Sequence, residues 1–176
     1  MRGLIIRGDY NVMRRANNWV APAWMRAYLL SATRAGDGWV WYAMGLGVLL
    51  FGGEDRFRAL GAAGTAALLS VLLFIALKRF TGRRRPCEIE PHCWATLLPP
   101  DQFSFPSGHT MTAFAVAIPL SLFYPDLTAG LLFCAFSIAL SRIILGMHFL
   151  SDVIAGAALG IILAIFFHQI FCISFE

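Results

Sequence analysis

Three stretches of the chain set ionisable side chains against long apolar runs, with spacings suited to holding an anion and attacking it. In KRFTGRRRP, residues 78–86, Gly82 terminates a helix and Pro86 stops the backbone from continuing as one, so Lys78 and Arg85 turn toward a common point. Arg79, Arg83 and Arg84 read as interfacial anchors whose charged ends reach lipid headgroups. In FSFPSGHT, residues 103–110, Pro106 and Gly108 shape a turn. Ser107 to Thr110 then supply the free backbone N–H groups of a helix start, an anion site with His109 as a proton donor beside it. In SRIILGMHFLSD, residues 141–152, Arg142 ends an apolar run, Gly146 allows a turn and Ser151 serves as an N-cap. His148 and Asp152 stand four residues apart, so on a helical turn the carboxylate accepts a hydrogen bond from the imidazole. That bond fixes the tautomer and leaves the other ring nitrogen free as a nucleophile. Taken singly, each stretch also has a structural reading as anchors, a cap or a His–Asp bridge closing a loop.

Groups of this kind survive near membrane depth only where they line a cavity, pair with one another or act on something. The surrounding sequence is a membrane sequence: of 176 residues 59% are hydrophobic and 14% charged, and the mean hydropathy is +0.69. Five apolar runs stand out: Gly38 to Gly53, Ala59 to Leu77, Thr110 to Tyr124, Leu127 to Met147 and Val153 to Ile173. The first and third are short for a bilayer, so their helices are expected to extend into the polar flanks. Arg2, Arg7, Arg14 and Arg15 precede a mixed segment, Asn18 to Thr33, without the compact apolar core of a signal peptide. It reads as an interfacial amphipathic helix. The fold expected is therefore all-α: a polytopic membrane helical bundle of about five transmembrane helices plus an N-terminal interfacial amphipathic helix. Residues 1–176 form one domain, with 1–37 the amphipathic segment and 78–152 the core carrying the chemistry.

This connectivity puts the three polar stretches and the N-terminus on one face. All of the 14 Lys and Arg residues except Arg56 and Arg58 lie on or border that face, which the positive-inside rule would make cytoplasmic. Cys87 and Cys93 bracket CEIEPHC in the same face, and a disulfide between them would place it in an oxidising compartment; two unpaired thiols remain the equal alternative. A metal site from Cys87, His92 and Cys93 lacks a fourth ligand at usual spacing. Cys134 and Cys172 read as packing residues. Gly61 with Gly64, and Gly156 with Gly160, mark helix faces where backbones approach closely within the molecule.

Together and in order, K-x6-RP, PSGH and SR-x5-H-x3-D resemble the three-part signature of the type 2 phosphatidic acid phosphatase superfamily, the lipid phosphate phosphatases. Every defining position is matched: Lys78, Arg85 and Pro86; Pro106 to His109; Ser141, Arg142, His148 and Asp152. Soluble relatives with this signature lack such long apolar runs, so the resemblance is to the membrane branch. Many members have six spans, whereas here only Asn18 to Thr33 stands where the first would be. The resemblance implies that His148 attacks phosphorus in line to give a phosphohistidine and that Asp152 orients it. His109 would protonate the leaving group and then act as base on water. Lys78, Arg85 and Arg142, with the Ser107 hydroxyl and the Gly108 amide, would hold the phosphate oxygens. Positioning and charge stabilisation of this sort imply no metal cofactor. The implied substrate is a lipid phosphomonoester or diphosphate. Phosphatidic acid, phosphatidylglycerol phosphate, undecaprenyl diphosphate and lipid A phosphate all suit it, with the lipid bilayer as the other partner and no nucleic acid. Following the family, the expected location is the bacterial inner membrane, multi-pass, with the site on the periplasmic or extracellular face. The competing reading is a small membrane transporter or channel. It fits less well, because the ionisable groups gather at one face and only His168, read as structural, lies toward the other.

Overall fold

The computed structural model of the chain describes residues 2–90 and 101–173. The Cys87–Cys93 pairing and the Cys87, His92 and Cys93 set involve residues outside that range. Among the described residues there are eight α-helices and no sheet: α1 Arg2–Asn17, α2 Ala23–Ala35, α3 Trp39–Phe51, α4 Arg56–Thr81, α5 Pro86–Ile89, α6 Gly108–Phe123, α7 Thr128–Ile144 and α8 Leu150–Ile173.

Among the described residues three helical segments are long and apolar enough to cross a membrane: Gly53–Thr81, Pro125–Ile144 and Leu150–Ile173. Their outer faces expose Leu68, Leu72, Phe133, Phe136, Ile154 and Ile162, as a chain solvated by lipid rather than water would. Of the five expected spans the other two, α3 and α6, are 13 and 16 residues: α3 does not lengthen into its flanks, and α6 gains only Gly108 and His109. The cause is local. Gly38 at φ 126° and Gly53 at φ 64° sit in the left-handed region at the two ends of α3, where a right-handed helix cannot pass. Pro106 precedes α6 and Pro125 follows it.

At 1.5 Å per residue α6 is only about 24 Å long, but it lies at the centre of the bundle, packed on α4, α7 and α8. Its buried residues are mostly small or unbranched, including Met111, Ala113, Ala115 and Ala117. Two glycines of α8 let it come this close: a Cβ on Gly156 would lie 2.7 Å from the Ser107 carbonyl oxygen, and one on Gly160 2.4 Å from that of Met111. On α4, Gly61 meets Phe171 of α8, whereas Gly64 faces open space. The small-residue pairs thus serve packing within the chain, Gly64 excepted.

The N-terminal segment is two helices, not one. Pro22 lacks an N–H and clashes with a preceding helical carbonyl, so α1 ends at Asn17 and α2 starts after Pro22. The first helix docks on α7 and α8, the second on α7.

Candidate active site

The end of α4 delivers the first group. Gly82, in the left-handed conformation at φ 57°, donates its N–H to the Lys78 carbonyl and closes the helix. The chain then reverses so that Arg85 precedes Pro86 of α5. Lys78 and Arg85 are both buried, and they do converge, on the carboxylate of Asp101. Lys78 Nζ donates to Oδ2 at 2.6 Å, and Arg85 Nη2 to Oδ1 at 2.8 Å. Arg85 Nε also donates to the Asp101 carbonyl at 2.8 Å. Burial pushes the Asp101 carboxyl up, but the hydrogen bonds and charges of Lys78 and Arg85 outweigh it and hold the group below the usual carboxylate range. A bidentate anion bridging two buried cations marks this point as one where an oxyanion is stable. A cavity of about 460 Å³ lined by Phe74, Ile75, Lys78, Arg79 and Phe103 opens beside it.

The second group is His148, fully enclosed in the link between α7 and α8. Its Nδ1 donates to the backbone carbonyl of Ser104 at 2.6 Å. A carbonyl only accepts, so the neutral ring carries its hydrogen on Nδ1 and keeps a lone pair on Nε2. That nitrogen lies 3.3 Å from Arg85 Nη1, which donates to the Met147 carbonyl at 2.9 Å. Burial, then the charges of Arg142, Arg85 and Lys78, push the His148 pKa well below its ordinary 6.5.

Asp152 does not accept from the imidazole, contrary to the expectation from their spacing. Its Oδ2 stands 3.8 Å from His148 Nδ1, and its lone pairs are used elsewhere. Oδ2 accepts from the Ser104 hydroxyl and, at 2.9 Å, from the Phe149 N–H; Oδ1 accepts from Arg83 Nη1 at 2.6 Å. The i,i+4 argument needs both residues in one helix, and α8 begins only at Leu150. Asp152 is instead the third residue of α8 and reaches back to cap its own helix start. Ser151, expected as the cap, is the second residue of α8.

The third group opens α6. Ser107 is its N-cap residue: the N–H donates to the Asp152 carbonyl at 3.0 Å, and the hydroxyl pairs with that of Thr110 at 2.9 Å. Gly108 packs edge-close on Phe74, whose ring atoms would stand 3.1 Å from a Cβ there. His109 Nε2 donates to Asp37 Oδ1 at 2.7 Å, with Gly36 giving the ring room, since a Cβ there would lie 3.0 Å from His109 Cδ2. Arg142, 3% exposed, donates from Nη1 to the Thr33 hydroxyl. Its Nε is buried and has no partner among the described residues. The charges of Arg142 and Lys78 act on both His109 and His148, which ties the three groups into one electrostatic unit.

The structure therefore gathers Lys78, Arg85, His148, Asp152, Ser107, Gly108, His109 and Arg142 around the α6 start and the α7–α8 link. It adds five residues that sequence reading missed. Asp101, Asp37 and Ser104 partner the cations and the two imidazoles. The buried Asp9 pairs with the partly buried Arg83 behind Asp152; Arg83 is no lipid anchor. Asp9 carried one signal, as the only acid in the basic N-terminal segment up to Asp37. His168 lies apart, edge-on to Phe123 at 4.7 Å. Among the described residues no group of three His, Cys, Asp or Glu is arranged to hold a metal ion.

Residues 59–174 match the PAP2 superfamily. The lipid A 1-phosphatase of Rhizobium etli is 35% identical over 100 residues, 54% of this chain and 43% of that protein. The decaprenylphosphoryl-5-phosphoribose phosphatase of Mycobacterium tuberculosis is 33% identical over 133 residues, 70% of this chain and 66% of that protein. The crystal structure of Aquifex aeolicus LpxE is 31% identical and superposes with a TM-score of 0.78, covering 92% of this chain and 94% of that one. The chain spans less than half the length of the lipid A 1-phosphatases it matches.

Proposed function

The chain belongs to the PAP2 superfamily, and on that premise we propose that it is a membrane phosphatase that hydrolyses a lipid phosphomonoester or diphosphate through a phosphohistidine on His148. One observation carries the reading: His148 Nδ1 is committed to the Ser104 carbonyl, so the Nε2 lone pair faces the cation cluster with its tautomer already fixed. In the first step Nε2 bonds to phosphorus while the bond from phosphorus to the lipid oxygen breaks. The departing oxygen takes the Nδ1 proton of His109 in its imidazolium form, whose Nε2–H stays on Asp37, and the ring is left neutral with a lone pair on Nδ1. In the second step water attacks the phosphorus, His109 Nδ1 removes the water proton, and the P–N bond breaks to return neutral His148 and inorganic phosphate.

The phosphate displaces Asp101 from Lys78 and Arg85, takes the unpartnered Arg142 Nε, and receives the first amides of α6. Three cations and a helix start spread the charge of the transition state, a task electrostatics performs without bond-making by the protein. No metal takes part, so turnover persists in excess chelator. The lipid tail stays in the bilayer and the head enters by the cavity beside Phe74 and Phe103, on the periplasmic or extracellular face of a bacterial inner membrane. The names of the relatives, a lipid A 1-phosphatase and a decaprenylphosphoryl-5-phosphoribose phosphatase, support large lipid phosphates as the class. Phosphatidic acid, phosphatidylglycerol phosphate, undecaprenyl diphosphate and lipid A form the panel to assay.

Phosphate release by the purified protein in detergent tests the assignment. His148→Ala is expected to abolish it and His109→Ala to slow it by about 10²- to 10⁴-fold, both with a native melting transition. Turnover surviving in both folded variants would remove His148 and His109 from the mechanism.

A further inference from the structure

We propose that Asp9, on helix α1, is a positioning residue that shares the charge of Arg83 and so leaves Asp152 negative toward His148 during the chemistry. This rests on the reading of His148 as the nucleophile. It also goes past the family match, which begins at residue 59 and does not include α1.

Asp9 is buried, 3% exposed, on an amphipathic helix whose other charged residues are all arginines. Its Oδ1 accepts from the Ser151 N–H at 2.9 Å, so a carboxylate from the N-terminus caps α8 from outside. Its Oδ2 accepts from the Ser151 hydroxyl at 2.6 Å and from Arg83 Nη2 at 2.7 Å. The other arm of the same guanidinium, Nη1, donates to Asp152 Oδ1 and to the Ser151 hydroxyl. The guanidinium lies 4.2 Å from the centre of the Phe149 ring, and Tyr10 of α1 packs on that ring from 5.7 Å. Arg14, one turn further along α1, pairs with Glu90 at 2.9 Å. The whole α7–α8 link is thus clamped between α1 and the Arg83 loop.

The charges of this cluster do not cancel. Two carboxylates share one guanidinium, so a net negative charge stands behind His148. At the Nε2 end of the ring Arg85 Nη1 stands 3.3 Å away, and the charges of Lys78 and Arg142 act on the ring as well. When Nε2 bonds to phosphorus while Nδ1 keeps its hydrogen, the ring becomes cationic, and those three residues oppose that change. The Ser104 carbonyl, which accepts from Nδ1 at 2.6 Å, and the Asp152 carboxylate, 3.8 Å away, favour it from behind, and of the two only the carboxylate brings a full negative charge. A lone Asp152–Arg83 pair would be neutral, and the Ser104 hydroxyl and the Phe149 amide already draw on the same carboxylate. By drawing Arg83 toward itself, Asp9 leaves Asp152 its charge.

The full chain in detergent, with dioctanoyl phosphatidic acid as probe, tests this through compensation. Asp9→Asn is expected to lower kcat about tenfold with KM within about twofold, since the effect appears only as charge develops. Adding Arg83→Gln to that chain removes the uncompensated cation and is expected to recover most of the loss, a coupling a mere structural clamp would not show. A double variant as slow as Asp9→Asn, or a KM effect at unchanged kcat, overturns the proposal. Should Asp9→Asn alone fail to fold, the double variant still decides: kcat within about threefold of native supports the proposal, and a tenfold loss overturns it. His148→Ala is run alongside. Residual turnover there defeats the nucleophile assignment itself, whereas an inactive His148→Ala with no recovery in the double variant defeats this inference alone.

Discussion

Gly156→Ala offers a quantitative test of how the site is held. A Cβ at position 156 would stand 2.7 Å from the Ser107 carbonyl oxygen and 3.4 Å from the Met111 nitrogen, both backbone atoms of the α6 start. No side chain can rotate away to make room, so α6 and α8 must separate by about 0.7 Å to restore ordinary contact. The separation falls on the bond from the Ser107 N–H to the Asp152 carbonyl, and it carries Ser107, Gly108 and His109 away from His148. Misplacing reacting groups by about 1 Å can cost roughly 100-fold, so a shift somewhat below that should lower kcat by roughly 10- to 100-fold. Overpacking of this size costs about 1–3 kcal/mol of stability, which leaves the bundle folded. The assay is phosphate release from a soluble short-chain lipid phosphate, with thermal unfolding in the same detergent. Gly64→Ala, where nothing stands within 4 Å, is the matched control and should be unchanged. Activity of Gly156→Ala within twofold of native, or equal damage from Gly64→Ala, refutes the reasoning.

Asp101→Asn removes the carboxylate that occupies Lys78 and Arg85; product-inhibition kinetics should show inorganic phosphate binding about threefold or more tighter, and an unchanged or weaker inhibition constant contradicts it. Because burial and the cations Arg142, Arg85 and Lys78 lower the pKa of His148, its neutral, nucleophilic form persists as pH falls through 6.5. The acid limb of kcat/KM therefore lies below pH 6.5, and Arg142→Gln should move it upward; a native limb at or above 6.5 contradicts the assignment.

Much of the site was legible because the chemistry imposes local spacing. Lys78 and Arg85 straddle a Gly82 helix stop, and Ser107 and Gly108 open a helix. What sequence could not supply were partners distant along the chain. Arg83 reads as one of three consecutive arginines, and only the tertiary fold brings it to Asp9, 74 residues away, and Asp152, 69 away. The His148–Asp152 bond was inferred from a helical period that does not apply, because the helix starts two residues after His148. The imidazole then meets the Ser104 carbonyl, an acceptor every residue carries and no sequence pattern announces. The expected extension failed for α3 and stopped after two residues for α6 for a related reason: mean hydropathy sees the apolar run, but Gly38, Gly53, Pro106 and Pro125 set where helical backbone can go.

The central claim is that His148 Nε2 forms a bond to phosphorus. Rapid acid-free quenching of the purified protein during turnover of a 32P-labelled lipid phosphate, followed by peptide mapping, tests it directly. The account predicts a transient label on the peptide containing His148, stable to alkali, labile to acid and absent in His148→Ala. Label on any other residue, or full steady-state turnover with no label at any quench time, would contradict it.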